Sequence, residues 1–161
     1  MPSSSESPGL IWRLMRGLNQ RMAHNYQRGI GPGRVVLLLT TTGRKSGLPR
    51  ITPLQYEEVN GRYIVGSARG ASADWFRNIQ ANPHVWVQIQ ERKLAATAQA
   101  VTDIEQVAEF LALRLKRHPL MIGLLMRLEG LPWRFTPADL KRFADQKAMV
   151  VIEPLTDNVN G

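Results

Sequence analysis

Arg44, Lys45 and Arg50 fall within seven positions of one another, in the stretch LLLTTTGRKSGLPR that begins at Leu37. An apolar run that ends in clustered cations needs an anion. A point charge from Lys45 beside the planar forks of two arginines suits a phosphate or a polycarboxylate. Gly43 and Gly47 would let the backbone of this tight turn approach such a ligand. The spacing is not that of a P-loop, which needs GxxxxGK[ST] leading into a helix; here Arg44 precedes Lys45 and Ser46, and Pro49 follows. A basic hairpin loop with glycine at its turn positions is the other reading of the same residues.

A second stretch, GSARGASADWFRNIQANP, places Ser67, Arg69 and Gly70 at a strand end just before a helix, whose first backbone N–H groups can meet an anion. Trp75 and Asn78 fall on neighbouring turns of that helix. An aromatic plane and an amide beside a glycine-containing turn suit a flat heterocycle, while Trp75 alone also fits a core position. Trp86 alternates with Val85 and Val87 and reads as half-buried packing. His24, His84 and His118 lie far apart and in no ligand spacing, and the chain has no cysteine. That excludes disulfides, thiolate nucleophiles and cysteine-based metal sites, and argues against a metal enzyme.

The net charge of +8 is localised. Between Ser7 and Tyr56 there is no Asp or Glu, while Arg13, Arg16, Arg21, Arg28, Arg34, Arg44, Lys45 and Arg50 supply eight cations; the other 13 basic and 13 acidic residues cancel. A solvated basic face, nucleic acid, an anionic membrane or a phosphorylated ligand would each account for it. No RNP, zinc-finger or helix-turn-helix signature is present, so nucleic acid is not expected as a partner.

The elements that must position these residues follow from periodicity. Leu10, Ile11, Leu14, Leu18 and Met22 recur at helical spacing, with Arg13, Arg16 and Arg21 off that stripe. This basic amphipathic helix would pack on the domain or lie on an anionic membrane surface. GIGPG breaks the chain after it, dividing a tail and helix over 1–33 from a single domain over 34–161. Within that domain VVLLLTTT reads as a buried strand, and ITPLQYEEV turns through Asn60-Gly61 into RYIVGSA. A helix is predicted over 71–81, then a hairpin of HVWVQIQ with KLAATAQAV, three helical segments opened by Thr102 with Glu105, by Pro119 and by Thr136-Pro137, and a last strand MVVIEPL. Antiparallel strands interrupted by helices predict an α+β domain built on a small barrel.

LLLTTTGRKSGLPRITPL, the hairpin to GSARG, and DWFRNIQANPHVWVQI together resemble the deazaflavin-dependent nitroreductase family, the quinone-reductase-like branch of the split-barrel flavoproteins, from about Val35 to Val101. The resemblance implies a split β-barrel with peripheral helices. It also implies coenzyme F(420), an 8-hydroxy-5-deazaflavin bearing a phosphate and an oligoglutamate tail, with FMN as the alternative cofactor. The activity implied is hydride transfer to a small-molecule acceptor: a quinone, a nitroaromatic or an activated enone. A protein that holds the cofactor without turnover is the second reading.

On the matching positions, Arg44, Lys45 and Arg50 correspond to the family's phosphate-binding cations. Thr52, Pro53 and Leu54 correspond to the segment bordering the deazaflavin ring, and Ser67, Ala68, Arg69, Gly70, Trp75 and Asn78 to the second wall. Ser67 is the expected catalytic proton donor, ahead of Tyr56 and Tyr63. The chain departs from the nitroimidazole-activating members in having Gln55 directly after Pro53-Leu54 and no tyrosine from Ala100 onward. In the apolar segment LKRHPLMIGLLMRLEGLPW, Met121, Ile122, Leu125 and Met126 would fill the core, or form a lid or homodimer face over the coenzyme. The expected location is cytoplasmic, peripheral on the inner face of the membrane if the first helix lies there.

Overall fold

The computed structural model describes residues 36–155. The basic amphipathic helix predicted over the first 33 residues lies outside them. Six strands form one closed antiparallel barrel: β1 (Val36–Thr42), β2 (Pro49–Val59), β3 (Arg62–Ser67), β4 (His84–Ile89), β5 (Arg92–Val101) and β6 (Ala148–Pro154), in the order β1-β2-β3-β6-β5-β4. Among the described residues there are four α-helices: α1 (Asp74–Ala81), α2 (Ile104–Arg117), α3 (Met121–Leu128) and α4 (Pro137–Ala144). This is the split-barrel architecture the resemblance implied.

The strand runs explain the two cores. Alternate side chains of a strand point to opposite faces, and the apolar run of β6 serves both. Ala148, Val150 and Ile152 join Leu37, Leu39, Val65 and Val87 inside the barrel. Met149 and Val151 face outward and pack with Val107, Phe110, Leu111, Ile122 and Met126 beneath the helices. β3 divides likewise, Tyr63 and Val65 inward and Ile64 outward. α1 contributes Phe76 and Ile79 to the barrel core. Both turn residues of Asn60-Gly61 take positive φ, 51° and 77°, as a tight hairpin between right-twisted strands requires.

Local details differ from the sequence expectations. The predicted helix over 71–81 is a single 3-10 turn, Gly70–Ser72, followed by α1, because Ala73 between them is extended (φ −64°, ψ 135°). α2 is capped by Asp103, whose carboxylate accepts from Gln106 N at 2.9 Å, and not by Thr102. Asp103 sits one residue nearer the first turn, and Glu105 is turned instead toward Lys141 of α4, 3.0 Å away. The regular part of α3 starts at Met121, although Ile122 N already reaches the His118 carbonyl at 3.0 Å. Thr136 and Asp139 form the reciprocal capping box of α4.

One buried charge ties the helical layer to the barrel. Glu57 of β2 is 5% exposed, and its Oε2 accepts from Arg117 Nη1 at 3.1 Å. His118 Nε2 approaches Oε1 to 3.0 Å, within ion-pair range but without the alignment of a hydrogen bond, and Arg114 Nε stands 3.8 Å away. Burial pushes the Arg114 guanidinium down from its ordinary value while the Glu57 charge pulls it back up.

Candidate functional site

The loop between β1 and β2 is closed on itself and tied to α1. Gly43 N donates to the Leu48 carbonyl and Gly47 N to the Gly43 carbonyl, both at 2.8 Å, with Gly47 at φ +70°. Asn78, 4% exposed, is the tie. Its Oδ1 accepts from the Arg44 backbone N (3.2 Å) and from Arg44 Nη1 (3.0 Å), while its Nδ2 donates to Thr41 Oγ1 (3.2 Å). Arg44 Nη2 also pairs with Asp74 Oδ1 at 3.0 Å, which holds the Asp74 carboxyl below its ordinary value of 3.8. Arg44 and Asn78 are thereby committed within the chain; they set the shape of the loop.

Between this loop and α1 runs a groove of about 750 Å³. It brings together Arg44, Lys45, Arg50, Thr52, Arg69, Trp75 and Asn78. Among the described residues Lys45, Arg50 and Arg69 make no ion pair, and the one carboxylate lining the groove, Asp74, is taken by Arg44. The groove therefore carries three positive charges that have no ion-pair partner among the described residues. Trp75 lines it while packing against the barrel core, with Phe76 edge-on at 6.1 Å between ring centres.

Other nominated residues lie elsewhere. Pro53 and Leu54 sit further along β2, opposite Leu38 and Leu37, and do not line the groove. Ser67 and Ala68 line a separate cavity of about 120 Å³ with Arg114, Ile122, Leu125 and Lys147. Ser67 is 3% exposed and its hydroxyl donates to the Gly70 carbonyl at 2.7 Å. It braces the turn from the inside, whereas the expectation placed it as a proton donor facing the coenzyme. Gly70 is a shape requirement: at φ +59°, an added Cβ would stand 2.8 Å from the Gln146 carbonyl oxygen. Tyr63 is buried and Tyr56 half-buried, their rings edge-on at 5.5 Å, and neither lines the groove. Burial, with the Glu58 charge, raises the Tyr56 phenol above its ordinary 10.0.

Met121, Ile122, Leu125 and Met126 also separate: Ile122 and Met126 are buried in the outer core, Met121 and Leu125 exposed.

Sequence reasoning missed Asp74 and Lys147. Asp74 had a local signal, an acid in the first turn of a helix that faces a basic loop. Lys147 had none: its Nζ donates to the Ala68 carbonyl at 3.0 Å and to Glu129 at 2.7 Å, across 79 and 18 residues.

The barrel, its outer helices and a cationic groove at the strand-turn end define a split-barrel protein. The family description "F(420)H(2)-dependent quinone reductase" matches residues 13–120, and the chain belongs to that family. An F(420)H(2)-dependent quinone reductase of Mycobacterium tuberculosis is 34% identical over 91 residues, 55% of this chain and 58% of that protein. The aligned stretch thus spans little more than half the length of that relative. Among solved structures, an F(420)-H2 dependent reductase superposes with a TM-score of 0.50 at 26% identity over 78% of this chain and all of that one. A protein solved as a domain-swapped dimer gives 0.51 at 23% identity over 86% and 98% of the two chains, a likeness of fold.

Proposed function

We propose that this chain transfers a hydride from reduced coenzyme F(420) to a quinone. The observation that carries the reading is the groove in which Lys45, Arg50 and Arg69 stand beside Trp75 with no ion pair among the described residues. The residues present fit the coenzyme's chemistry: cations for a phosphate and a carboxylate-bearing tail, an aromatic wall for a flat ring, and a glycine-shaped loop with open space at Gly47. Lys45 and Arg50 would hold the phosphate, Arg69 a second anionic group, and Thr52 and Trp75 would border the ring. The bound reduced deazaflavin supplies the hydride.

The chain's own contribution is position. Asn78 and Arg44 fix the loop, and Ser67 and Gly70 fix the facing turn, so that ligand anions meet a preset cradle. A quinone that gains a hydride must also gain a proton. Since Ser67, Tyr56 and Tyr63 do not line the groove, Thr52, Ser46 and solvent are the sources on hand. Nitroaromatics and activated enones share the electron-poor π-system of a quinone and are further acceptors to try.

The test is a titration of apo-protein with oxidised F(420) and, in parallel, with FMN at low and high salt, followed by mixing reduced F(420) with a panel of quinones. The expected result is binding of the deazaflavin in preference to FMN, weakened by salt, and oxidation of the coenzyme only when a quinone is present. Preference for FMN would move the chemistry to ordinary flavin, and binding without oxidation would overturn the enzymatic reading.

A further inference from the structure

The turn that carries Arg69 into the groove lies beyond the reach of the strand ladder. Pairing of β3 with β6 ends at Ser67, opposite Ala148, so the residues from Ala68 to Ala71 are held by other means. Each of their four carbonyls accepts a hydrogen bond from a side chain. Ser72 Oγ donates to the Arg69 carbonyl at 2.6 Å, Ser67 Oγ to the Gly70 carbonyl at 2.7 Å and Arg77 Nε to the Ala71 carbonyl at 3.2 Å. These three donors are local. The fourth is not: Lys147 Nζ, from the connection between α4 and β6, donates to the Ala68 carbonyl at 3.0 Å.

The Ala68 carbonyl is the one that bears on Arg69. It shares a planar peptide unit with the Arg69 N–H, and the Arg69 carbonyl belongs to the next unit. Lys147 and Ser72 therefore fix the planes on either side of the Arg69 Cα, at φ −91° and ψ 9°. Those planes set the direction in which the side chain leaves the main chain. Arg69 itself lines the groove and makes no ion pair among the described residues.

Lys147 is committed on three sides. Its Nζ also donates to Glu129 Oε2 at 2.7 Å and stands 5.1 Å from the centre of the Phe143 ring, and its side chain is 15% exposed. It lines the smaller cavity behind the turn, not the groove. Apart from the field of its charge, which Glu129 offsets, its effect on a ligand in the groove passes through the turn.

We propose that Lys147 is a positioning residue for the groove: its hydrogen bond to the Ala68 carbonyl aims Arg69 at the ligand's anionic group, and Glu129 holds Lys147 in place. The inference rests on the reading of the groove as the coenzyme site. A long side chain that has to be ordered on binding lowers affinity by about two- to tenfold, which is the loss expected when the tie is cut.

The experiment is a double-mutant cycle on F(420) binding to the full chain. Lys147→Met keeps the length of the side chain but removes the donor, and should weaken binding about two- to tenfold. Arg69→Ala should weaken it about tenfold or more, and adding Lys147→Met to Arg69→Ala should weaken it no further. Lys147→Met with Glu129→Gln leaves the net charge of the chain unchanged and should bind as weakly as Lys147→Met alone. Independent losses at the two positions, or wild-type affinity in the charge-balanced variant, would overturn the proposal. A wild-type chain that takes no F(420) would instead overturn the reading of the groove.

NMR order parameters of the ligand-free protein report the tie without coenzyme. The amides of 69–72 should be as rigid as those of β3 and β6 in the wild type and looser in Lys147→Met, with the strands unchanged. Equal order parameters in the two proteins would show that Lys147 does not hold the turn, and would overturn the proposal. Loosening spread over the strands as well would make Lys147 a general stabilising contact, which also overturns it.

Discussion

Two clusters of cations stand at different places on the same barrel, and they differ in what neutralises them. At the helical layer, Arg117, His118 and the more distant Arg114 surround Glu57, which the fold has buried among them. At the groove, Lys45, Arg50 and Arg69 have no ion pair among the described residues, and the nearby Asp74 is spent on Arg44. The first cluster brings its own anion and therefore reads as architecture. The second has none among the described residues, which is why the proposed function assigns it a ligand anion. Both gather basic side chains on one barrel; a buried counter-charge is what distinguishes the first from the second.

The sharpest way to break this contrast is to remove the buried anion. Glu57→Ala would leave Arg114 and Arg117 uncompensated at the edge of the outer core, where losing one partner of a buried pair costs about 3–5 kcal/mol. Urea unfolding should show a loss of that order, and the folded fraction should still bind coenzyme with near wild-type affinity. A variant of unchanged stability would mean that the cations around Glu57 are held by something other than its charge.

The converse substitutions act at the groove. Charge-assisted hydrogen bonds contribute roughly 1.5–3 kcal/mol each, so Lys45→Ala or Arg50→Ala should weaken F(420) binding about tenfold to a hundredfold. Neither residue has an ion partner to lose among the described residues, and unfolding free energies should stay within about 0.5 kcal/mol of wild type. A large loss of stability with unchanged affinity would reverse the roles assigned to the two clusters.

What the sequence made legible follows the same division. The strands, the Asn60-Gly61 turn and the cationic loop are short-range features: alternation, turn chemistry and clustered charge are visible within ten residues or so. The groove's second wall was legible as Arg69 and Trp75, because a glycine-containing turn before a helix announces itself locally. The commitments of individual side chains were not. Asn78 is bound to a loop 34 residues away, and Arg117 to a carboxylate 60 residues away. Nothing in the local pattern around Ser67 shows that its hydroxyl closes onto Gly70 behind the wall. The apolar segment after Pro119 was ambiguous for a related reason: composition gives an apolar helix, but which row is buried depends on where the outer core lies.

Asn78 tests the boundary between the two kinds of residue, since it supports the groove without being free to bind. Asn78→Ala removes the acceptor of the Arg44 backbone N–H and the partner of Thr41, both at buried or half-buried positions. The expected loss is about 1–3 kcal/mol of stability. F(420) affinity should fall by less than in Lys45→Ala, because the loop loosens while its cations remain. Parallel unfolding and binding titrations on the two variants measure the split; equal losses of affinity at unchanged stability would make Asn78 a ligand contact instead.

The smallest effect is the pH dependence of the Arg44 and Asp74 pair. The Asp74 carboxyl is depressed below 3.8 in the folded chain, first by its hydrogen bond from Arg44 and then by the Arg44 charge. A depressed carboxyl contributes its stabilisation fully above the unfolded value, near 3.9, and loses it as pH falls through the folded value. Between pH 5 and pH 2 the melting temperature of the wild type should therefore drop slightly more steeply than that of Asp74→Asn. The Asp139 carboxyl, held down by the Thr136 backbone and hydroxyl, titrates in the same window and stays in both proteins, so it cancels in the difference. Superimposable curves would show that the exposed pair adds nothing at working ionic strength, leaving Asn78 as the residue that holds Arg44 in place.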